Sequence, residues 1–357
     1  MRWEVNVLAP VLHILPLTTI VRERLLPVSG RVSAHVNQRV NPTDVVAEAS
    51  FAREHVLLDV ARTFGVSANA ADKMIKVKEG DRVMQGALVA ESRGIFPRSI
   101  RAPRAGRVMV SGAGQVLMEV GDARIELRAG LPGLVTQVIP ERGVVIRTAG
   151  ALIQGVWGNG RIDNGLMTSL IEKPDDVLTA DRLDVSLRGS VILGGHVRDA
   201  DTLRIAAELP VRGLIISSLL SPLLSSGYQV RYPILVLDGF GAIPMNSAAF
   251  KLLTTNNKRE VTVNAEHFDR YSGNRPEVII PLPVSSEPAE PSPYETFAVG
   301  QTVRMCRSPN LGMIGTIANL RRGLSTLPSG LRAPAADVRL ENGEIVLVPL
   351  VNLEVVG

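Results

Sequence analysis

Short runs in which valine alternates with polar residues, each closed by a glycine turn, constrain the fold more than any other feature of this chain. They lie at residues 30–40, 81–92 and 106–120. Alternation with a period of two is typical of strands with one buried face, and glycine permits tight hairpins. Aromatic residues make up only 4% of the chain, so the cores must consist mainly of valine, leucine, isoleucine and alanine. The pattern predicts a mainly β protein.

The length of 357 residues predicts a multi-domain protein, because one hydrophobic core stops growing beyond roughly 250–300 residues. A segment rich in proline, serine and glutamate cannot form a helix or a central strand, and we expect it to be a semi-extended linker. Changes of pattern on either side of it give the predicted division: a β-rich domain at 1–160, an α/β domain at 161–280, the linker at 281–295 and a small barrel at 296–357.

Two segments of the first domain depart from its strand pattern. Apolar residues recur at helical spacing between Phe51 and Met74, so we expect a helical insertion at 51–74. The apolar stretch from Val5 to Val21 contains Pro10 and Pro16 and lacks a small-residue cleavage site. We expect it to be a buried pair of strands, and we expect no membrane span.

Residues 161–280 alternate continuous apolar strands with helical segments, which is typical of βαβ units. Asp199 is suited to cap a helix that packs on the sheet, and a second helix is expected from Asn246 to Thr254. The stretches Val261–Asn264 and Val278–Ile280 are expected at the edges of the sheet. The strand order weakly resembles that of swivelling β/β/α domains, although no phospho-acceptor histidine motif matches.

Residues Val77–Val110, with turns at Gly80-Asp81 and Gly86, resemble the lipoyl and biotinyl carrier domains and their sandwich-hybrid fold. The stretch 30–49 repeats the pattern more loosely, so the resemblance implies one barrel-like sandwich built from two related halves. In carrier domains the hairpin between the halves presents an acylated lysine. Here it carries Arg93 and Arg98 instead, and a guanidinium cannot replace the amine, so we expect no covalent lipoate or biotin. The arginines of this region form either a solvated strand face or a phosphate-binding stripe.

A candidate anion site lies where predicted strands of the α/β domain end. Glycines after a buried strand can present free amides beside a helix start, and strand ends are where α/β sheets place ligands. The pattern lacks the dinucleotide and triphosphate signatures, so caps and turns are the competing interpretation, and no cofactor is expected. An acid and base pair is a further alternative, without a recognisable nucleophile. The residues are Gly194, Gly195, His196, Asp199 and Asp238.

Residues Phe297–Val356 resemble KOW domains, the SH3-like barrels of ribosomal proteins and transcription elongation factors. The resemblance rests on VGQTVRMCRSPNLGMIGTIANL from Val299, and on a later hairpin with Asn342-Gly343 at its turn. It implies contact with RNA or a ribonucleoprotein, although KOW barrels also bind proteins alone. Arginines of this domain suit contact with phosphates or with a partner. They are Arg304, Arg307, Arg321, Arg322 and Arg332.

Charge and cysteine content narrow the partners and the compartment. The net charge of +4 permits contact with nucleic acid without requiring it. Cys306 is the only cysteine, which excludes an intramolecular disulfide and favours a reducing, cytoplasmic location. The five histidines show no metal-ligand spacing, so no metal is expected. We therefore expect a non-enzymatic binding or scaffold protein that contacts RNA, a ribonucleoprotein or a transcription complex. A protein-only adaptor and an enzyme with a site at the central strand ends are the alternatives.

Overall fold

The computed structural model describes residues 7–51, 54–93, 96–121, 123–269, 273–292 and 294–357. The chain is mainly β, with several sheets and few helices, as predicted. No helix in the described ranges is both long and apolar enough to cross a membrane. The α-helices are Val60–Phe64, Ala68–Asp72, Ala200–Glu208, Leu224–Gln229 and Ser247–Thr255, and the 3-10 helices are Ala180–Arg182, Val185–Leu187, Ser221–Leu223 and Leu350–Asn352.

A small β module follows the first strands and encloses its own core of Val89, Val108 and Met118. The expected helical insertion at 51–74 is wrong in its first part, because 54–59 is a strand paired with 115–120. Only two one-turn helices follow it, and Ala52 and Arg53 lie outside the described residues. The strands are Glu54–Asp59, Arg82–Val83, Leu88–Glu91, Ser99–Arg101, Gly106–Gly112 and Gln115–Val120.

The stretch 30–49 does not join that module. Its strands Arg31–Val32 and Val45–Phe51 form a sheet with Ala123–Arg128, and Arg39–Val40 pairs with Gly133–Ile139. The two stretches that resemble carrier halves therefore lie in different sheets and bury different cores. The hairpin where carrier domains hold lysine is partly described: Leu88–Glu91 pairs with Ser99–Arg101, and Gly94 and Ile95 lie outside the described residues.

The centre of the molecule is one sheet of thirteen strands. Its α/β part contains the expected βαβ unit: the parallel strands Ser190–Leu193 and Gly213–Leu219 flank the helix Ala200–Glu208, whose Leu203 and Ala206 pack on the sheet. The helix Ser247–Thr255 packs on the opposite face. The other strands of this sheet are Ile14–Leu25, Arg39–Val40, Gly133–Ile139, Gly143–Gln154, Trp157–Gly158, Arg161–Ser169, Val177–Leu178, His196–Val197, Ile234–Phe240, Glu260–Ala265 and Glu277–Pro281.

The strands expected at the sheet edges are central instead. Glu260–Ala265 lies between Arg161–Ser169 and Glu277–Pro281, and the latter also pairs with Gly143–Gln154. Both are buried on both faces: Val278 and Ile280 enter one core and Ile279 the other, and in Glu260–Ala265 the alternate residues Thr262 and Asn264 are buried like the valines between them. The sheet consequently contains strands from both sides of the predicted domain boundary between residues 160 and 161. The first domain and the α/β domain therefore share one sheet.

The C-terminal module, residues 296–357, forms an antiparallel meander of four strands, and its fifth strand, the last in the chain, pairs with the first; the core contains Val303, Ile317 and Val338. Gly343 has a φ of 87° in the turn between its last long strands, at the predicted Asn-Gly signal. A short hairpin, Ser325–Thr326 with Arg332–Ala333, projects from it. The main strands are Thr302–Met305, Ile314–Leu320, Ala335–Leu340, Ile345–Pro349 and Leu353–Val356.

The start of the chain completes this C-terminal module, which the sequence did not predict. Strand Val11–Leu12 pairs with Leu353–Val356, and Leu8–Ala9 pairs with Glu295–Thr296. The segment Val5–Val21 is therefore β, as expected, over its described part, which omits Val5 and Asn6. Its strands pair with distant partners, however, and not with each other.

The proline-rich segment 281–295 is docked and is not a free tether over its described part, which omits Pro293. Prolines lack an N–H, but carbonyls of the segment still accept hydrogen bonds: the hydroxyl of Thr19 donates to Pro288 at 2.6 Å and that of Thr18 to Ala289 at 2.9 Å. Arg147 adds ion pairs to Glu287 at 2.7 Å and to Glu290 at 3.4 Å.

The burial of the N-terminal strand predicts its contribution to stability. Leu12 is fully buried in the central core, whereas Leu8 is 71% exposed. Leu12→Ala should lower the free energy of unfolding by about 2–5 kcal/mol through lost transfer energy and a new cavity. The matched control Leu8→Ala should change it by no more than about 0.5 kcal/mol. Urea denaturation followed by circular dichroism measures both, and equal losses would show that the strand is not docked.

Candidate functional site: buried polar clusters and an arginine-lined cleft

The glycines of the predicted anion site connect two strands and do not lead directly into the helix. The N–H of Gly194 donates to the carbonyl of Ile215 at 2.8 Å, and the N–H of His196 donates to that of Asp176 at 2.8 Å. A Cβ on Gly195 would lie 1.8 Å from the Asp176 oxygen, so glycine is required there by close backbone approach. The N–H groups of Gly194 and His196 are thus already hydrogen-bonded to backbone carbonyls and are not free to bind an anion.

Asp199 acts as the predicted helix cap. Its carboxylate accepts from the backbone N–H of Thr202 at 2.8 Å and from the Thr202 hydroxyl at 2.9 Å. These bonds satisfy an N-terminal donor of the helix Ala200–Glu208. Both of these contacts are those of a structural cap.

His196 is buried and its Nδ1 lies 2.9 Å from the Ser218 hydroxyl. That hydroxyl donates its proton to the Ile243 carbonyl at 2.7 Å and accepts from the Ile243 N–H at 3.1 Å. Since a hydroxyl has one proton, Nδ1 of His196 must be the donor in the contact that they share. Ser218 is therefore not activated by this histidine. Burial, helped by Arg198, lowers the pKa of His196, which keeps the ring neutral at pH 7.

Asp238 lies on the strand Ile234–Phe240, next to the strand that carries Ser218, and belongs to a second buried polar cluster. Its carboxylate accepts from the backbone N–H of Asn246 at 3.0 Å and from the Asn246 side chain at 2.9 Å. Arg304 of the C-terminal module approaches Asp238 to 3.4 Å and donates to the Leu237 carbonyl at 3.1 Å. Burial raises the pKa of Asp238, and Arg304 and Asn246 oppose that rise.

The same arginine bonds a second carboxylate. Arg304 lies 3.0 Å from Glu354, which Arg275 contacts at 2.9 Å. Burial by itself would raise the pKa of Glu354, but Arg304 and Arg275 together outweigh it and lower that pKa. Nearby Cys306 is inert, because burial, helped by Glu354, raises its pKa to about 12. Arg304 therefore joins the C-terminal module to the central sheet and is not available to a partner.

The remaining predicted arginines of the C-terminal module stay at the surface. Arg321 is held by Asp337 at 2.8 Å, and Arg307 donates to the carbonyl of Cys306 at 3.0 Å. Arg322 and Arg332 form no ion pair with any residue in the described ranges. Both belong to the basic hairpin, residues 321–334, which contains three arginines and no carboxylate.

The arginines near the carrier-like hairpin are mostly engaged with their own module. Arg98 donates to the Phe64 carbonyl at 2.8 Å and stacks on the Phe64 ring at 5.6 Å. Arg101 donates to Gly86 at 2.9 Å, and Arg104 pairs with Glu54 at 2.8 Å. These contacts favour the solvated strand face over a phosphate-binding stripe.

A cleft of about 560 Å³ lies between the first domain and the α/β part. Sequence analysis missed it, because its residues come from distant segments and share no motif. We call it the arginine cleft: five arginines outnumber three carboxylates among its lining residues. The lining consists of Arg24, Thr43, Glu126, Leu127, Arg128, Gly160, Arg161, Ile162, Asp163, Arg212, Arg231 and Glu266.

Exposed aromatic rings gather beside the edge strand Trp157–Gly158. The Trp157 ring makes edge contacts with Tyr228 at 5.2 Å and with Phe240 at 6.2 Å between centroids. His267 lies 5.9 Å from Tyr228. Tyr228 and Phe240 are 48% and 37% exposed, which is conspicuous in a chain with so few aromatics. We call Trp157, Tyr228, Phe240 and His267 the aromatic cluster.

No family model and no curated protein matches this chain. Among the described residues no group of three or more histidine, cysteine, aspartate or glutamate side chains is placed to hold a metal ion.

The Arg304 cluster predicts a large effect of removing its central cation. Arg304→Ala leaves Asp238 without an ion pair and weakens the compensation of Glu354, so the free energy of unfolding should fall by about 3–5 kcal/mol. Arg307→Ala, three positions away at the surface, should change it by about 0.5 kcal/mol or less. Urea denaturation of both variants measures the difference. Similar values for the two variants would contradict a stabilising role for the cluster.

The lowered pKa of His196 predicts acid sensitivity. Below the unfolded-state pKa of about 6.5 the unfolded chain binds a proton that the folded chain refuses, so stability falls as pH falls. The slope from this residue is at most about 1.4 kcal/mol per pH unit. In His196→Asn the amide can still donate to Ser218, and the slope between pH 7 and pH 5 should be smaller. Urea denaturation at several pH values measures it; identical slopes would contradict the assignment.

Proposed function

We propose that the protein is a non-enzymatic binding or scaffold protein whose C-terminal module contacts RNA or a ribonucleoprotein, including a transcription complex. The observation that carries this proposal is the basic hairpin, residues 321–334. It is held by backbone pairing of Ser325–Thr326 with Arg332–Ala333, and it presents Arg322 and Arg332 without carboxylate partners in the described structure. Guanidinium forks of this kind suit phosphate oxygens.

The frame beneath the hairpin favours a binding role. Arg304 and the N-terminal strand Val11–Leu12 fix the C-terminal module to the central sheet, so the hairpin has a defined orientation. A binding surface on a rigid frame loses less conformational freedom when a partner binds. The KOW-type SH3-like barrel and a cytoplasmic location are part of this proposal, supported by the antiparallel five-strand order and by the single cysteine.

The contacts of the former acid and base candidates favour binding over catalysis. His196 donates to a serine whose proton is already used, Asp199 caps a helix, and Asp238 accepts from Asn246 in a buried cluster. General acid–base work requires a group within reach of a substrate proton. None of these side chains offers that geometry.

A protein-only adaptor is the second candidate, and the aromatic cluster favours it. Tryptophan and tyrosine are enriched where proteins bind each other, since they supply large contact areas at low entropic cost. The cluster lies at the edge strand Trp157–Gly158 of the central sheet. In this version the exposed rings of Tyr228 and Phe240 contact the partner.

The RNA proposal is tested by electrophoretic shift of a short single-stranded RNA over a series of salt concentrations. The double variant Arg322→Ala with Arg332→Ala should bind more weakly, and its slope of log affinity against log salt should be smaller by about 1.4, or two phosphate contacts. Arg204→Ala is the matched control, because Arg204 is equally a surface arginine but is paired on a helix with Asp201 and Glu208.

Absence of any shift at low salt, or equal loss in the control, would refute the RNA proposal. Pull-down from native lysate with and without nuclease then addresses the adaptor. A partner that survives nuclease and is lost in Tyr228→Ala supports it, whereas a partner retained by that variant counts against the aromatic cluster.

A further inference from the structure

We propose that the arginine cleft binds a small phosphorylated polyol, such as a sugar phosphate, independently of any contact made by the C-terminal module. Its volume of about 560 Å³ is typical of small-molecule sites. Its lining is unusual in being dominated by charge. The class of ligand follows from how these charges are used.

Arg24 and Arg212 form ion pairs with carboxylates and line the walls of the cleft. The Arg24 guanidinium forms a two-pronged pair with Glu266 and also donates to the carbonyl of Arg128 at 3.0 Å. Arg212 donates to both oxygens of Asp163, at 3.1 and 3.3 Å. Since Arg24 lies in the strand Ile14–Leu25 and Glu266 follows the strand Glu260–Ala265, their pair holds the two sides of the cleft together.

Gly130 leaves room for the guanidinium of Arg24 in the wall of the cleft. Its φ is 78°, and a Cβ there would lie 3.2 Å from the Cζ of Arg24 and 3.2 Å from the amide nitrogen of Asn264. A side chain at this position would push against the guanidinium. The wall is therefore set before any ligand arrives, which lowers the entropic cost of binding.

Arg161 and Arg231 supply the charge that the protein leaves uncompensated. Neither forms an ion pair with a described residue, and the Nε of Arg161 is buried without a hydrogen-bond partner in the described structure. A buried donor left unpaired is costly, so an acceptor that reaches the Arg161 fork gains that energy. Arg128 is only loosely held, 3.8 Å from Glu126. A doubly charged phosphate matches this surplus, and guanidinium forks bind phosphate oxygens in pairs.

The rest of the lining favours hydroxyl groups over a base. Glu126 has acceptor capacity beyond its loose contact with Arg128, and a carboxylate accepts hydrogen bonds from sugar hydroxyls. The lining contains no aromatic side chain on which a base could stack, and its only large apolar residues are Leu127 and Ile162. A phosphorylated polyol therefore fits better than a nucleotide or nucleic-acid strand.

The test is calorimetric titration of the full chain with ribose 5-phosphate, with ribose and inorganic phosphate as separate probes. The ester should bind and ribose should not. Arg231→Gln, at an exposed position, and Arg161→Gln should each weaken ester binding by about tenfold or more, as expected for loss of a charge-assisted hydrogen bond. Arg188→Gln, an exposed arginine outside the cleft, is the matched control and should bind normally.

Each alternative outcome overturns a defined part of the proposal. No heat with the ester, or equal binding by Arg231→Gln and wild type, refutes the site. Inorganic phosphate that binds as tightly as the ester refutes the polyol part. Displacement of the ester by a short RNA would show that the cleft belongs to a nucleic-acid path. Loss of ester binding in the basic-hairpin variant would refute the independence of the two sites, whereas unchanged ester binding with lost RNA binding is the expected result.

Discussion

The burial of Arg304 is the interaction on which the arrangement of the molecule depends. A guanidinium taken out of water costs several kcal/mol unless charges and carbonyls replace its hydration. Arg304 obtains them from Glu354 at 3.0 Å within its own module, and from the Leu237 carbonyl and Asp238 in the central sheet. Moving the C-terminal module away would preserve the pair with Glu354, but it would break the contacts of Arg304 with Leu237 and Asp238 and the pair of Glu354 with Arg275. The charge cluster therefore specifies one docking geometry where apolar contacts alone would tolerate several.

The two ends of the chain strengthen this geometry by pairing with each other. Val11–Leu12 adds a strand beside Leu353–Val356, and the N–H of Ile14 donates to the carbonyl of Gly357 at 3.1 Å. The next strand, Ile14–Leu25, then pairs along Gly143–Gln154 in the central sheet. One continuous segment thus connects the C-terminal module to the first domain. The docked proline-rich segment follows the same route, which explains why a stretch without helix or sheet potential is nevertheless ordered against Thr18 and Thr19.

Local signals in the sequence predicted local structure well, and long-range structure poorly. The cap at Asp199, the helix near Asn246 and the turn at Gly343 depend on residues only a few positions apart, and all three are present. The central position of Glu260–Ala265 depends on pairing with Arg161–Ser169, about a hundred residues earlier, and valine content does not reveal a partner. The strand at 54–59 shows the same limit. Helical spacing was present there, but pairing with 115–120 outweighed it.

Both proposed binding roles depend on which arginines of this chain are compensated inside the fold, and composition cannot show that. Neither Arg304 nor Arg322 has an aspartate or glutamate near it in the sequence, yet one is buried between two carboxylates and the other is exposed on a hairpin. Arg24 and Arg161 differ in the same way within a single cleft, since Glu266 neutralises the first and no described carboxylate reaches the second. Each uncompensated guanidinium retains its full attraction for an external anion, whereas each paired one contributes shape. The positions proposed to bind phosphate are therefore set by where the carboxylates of the chain are placed, and those places are determined only when the distant strands have paired.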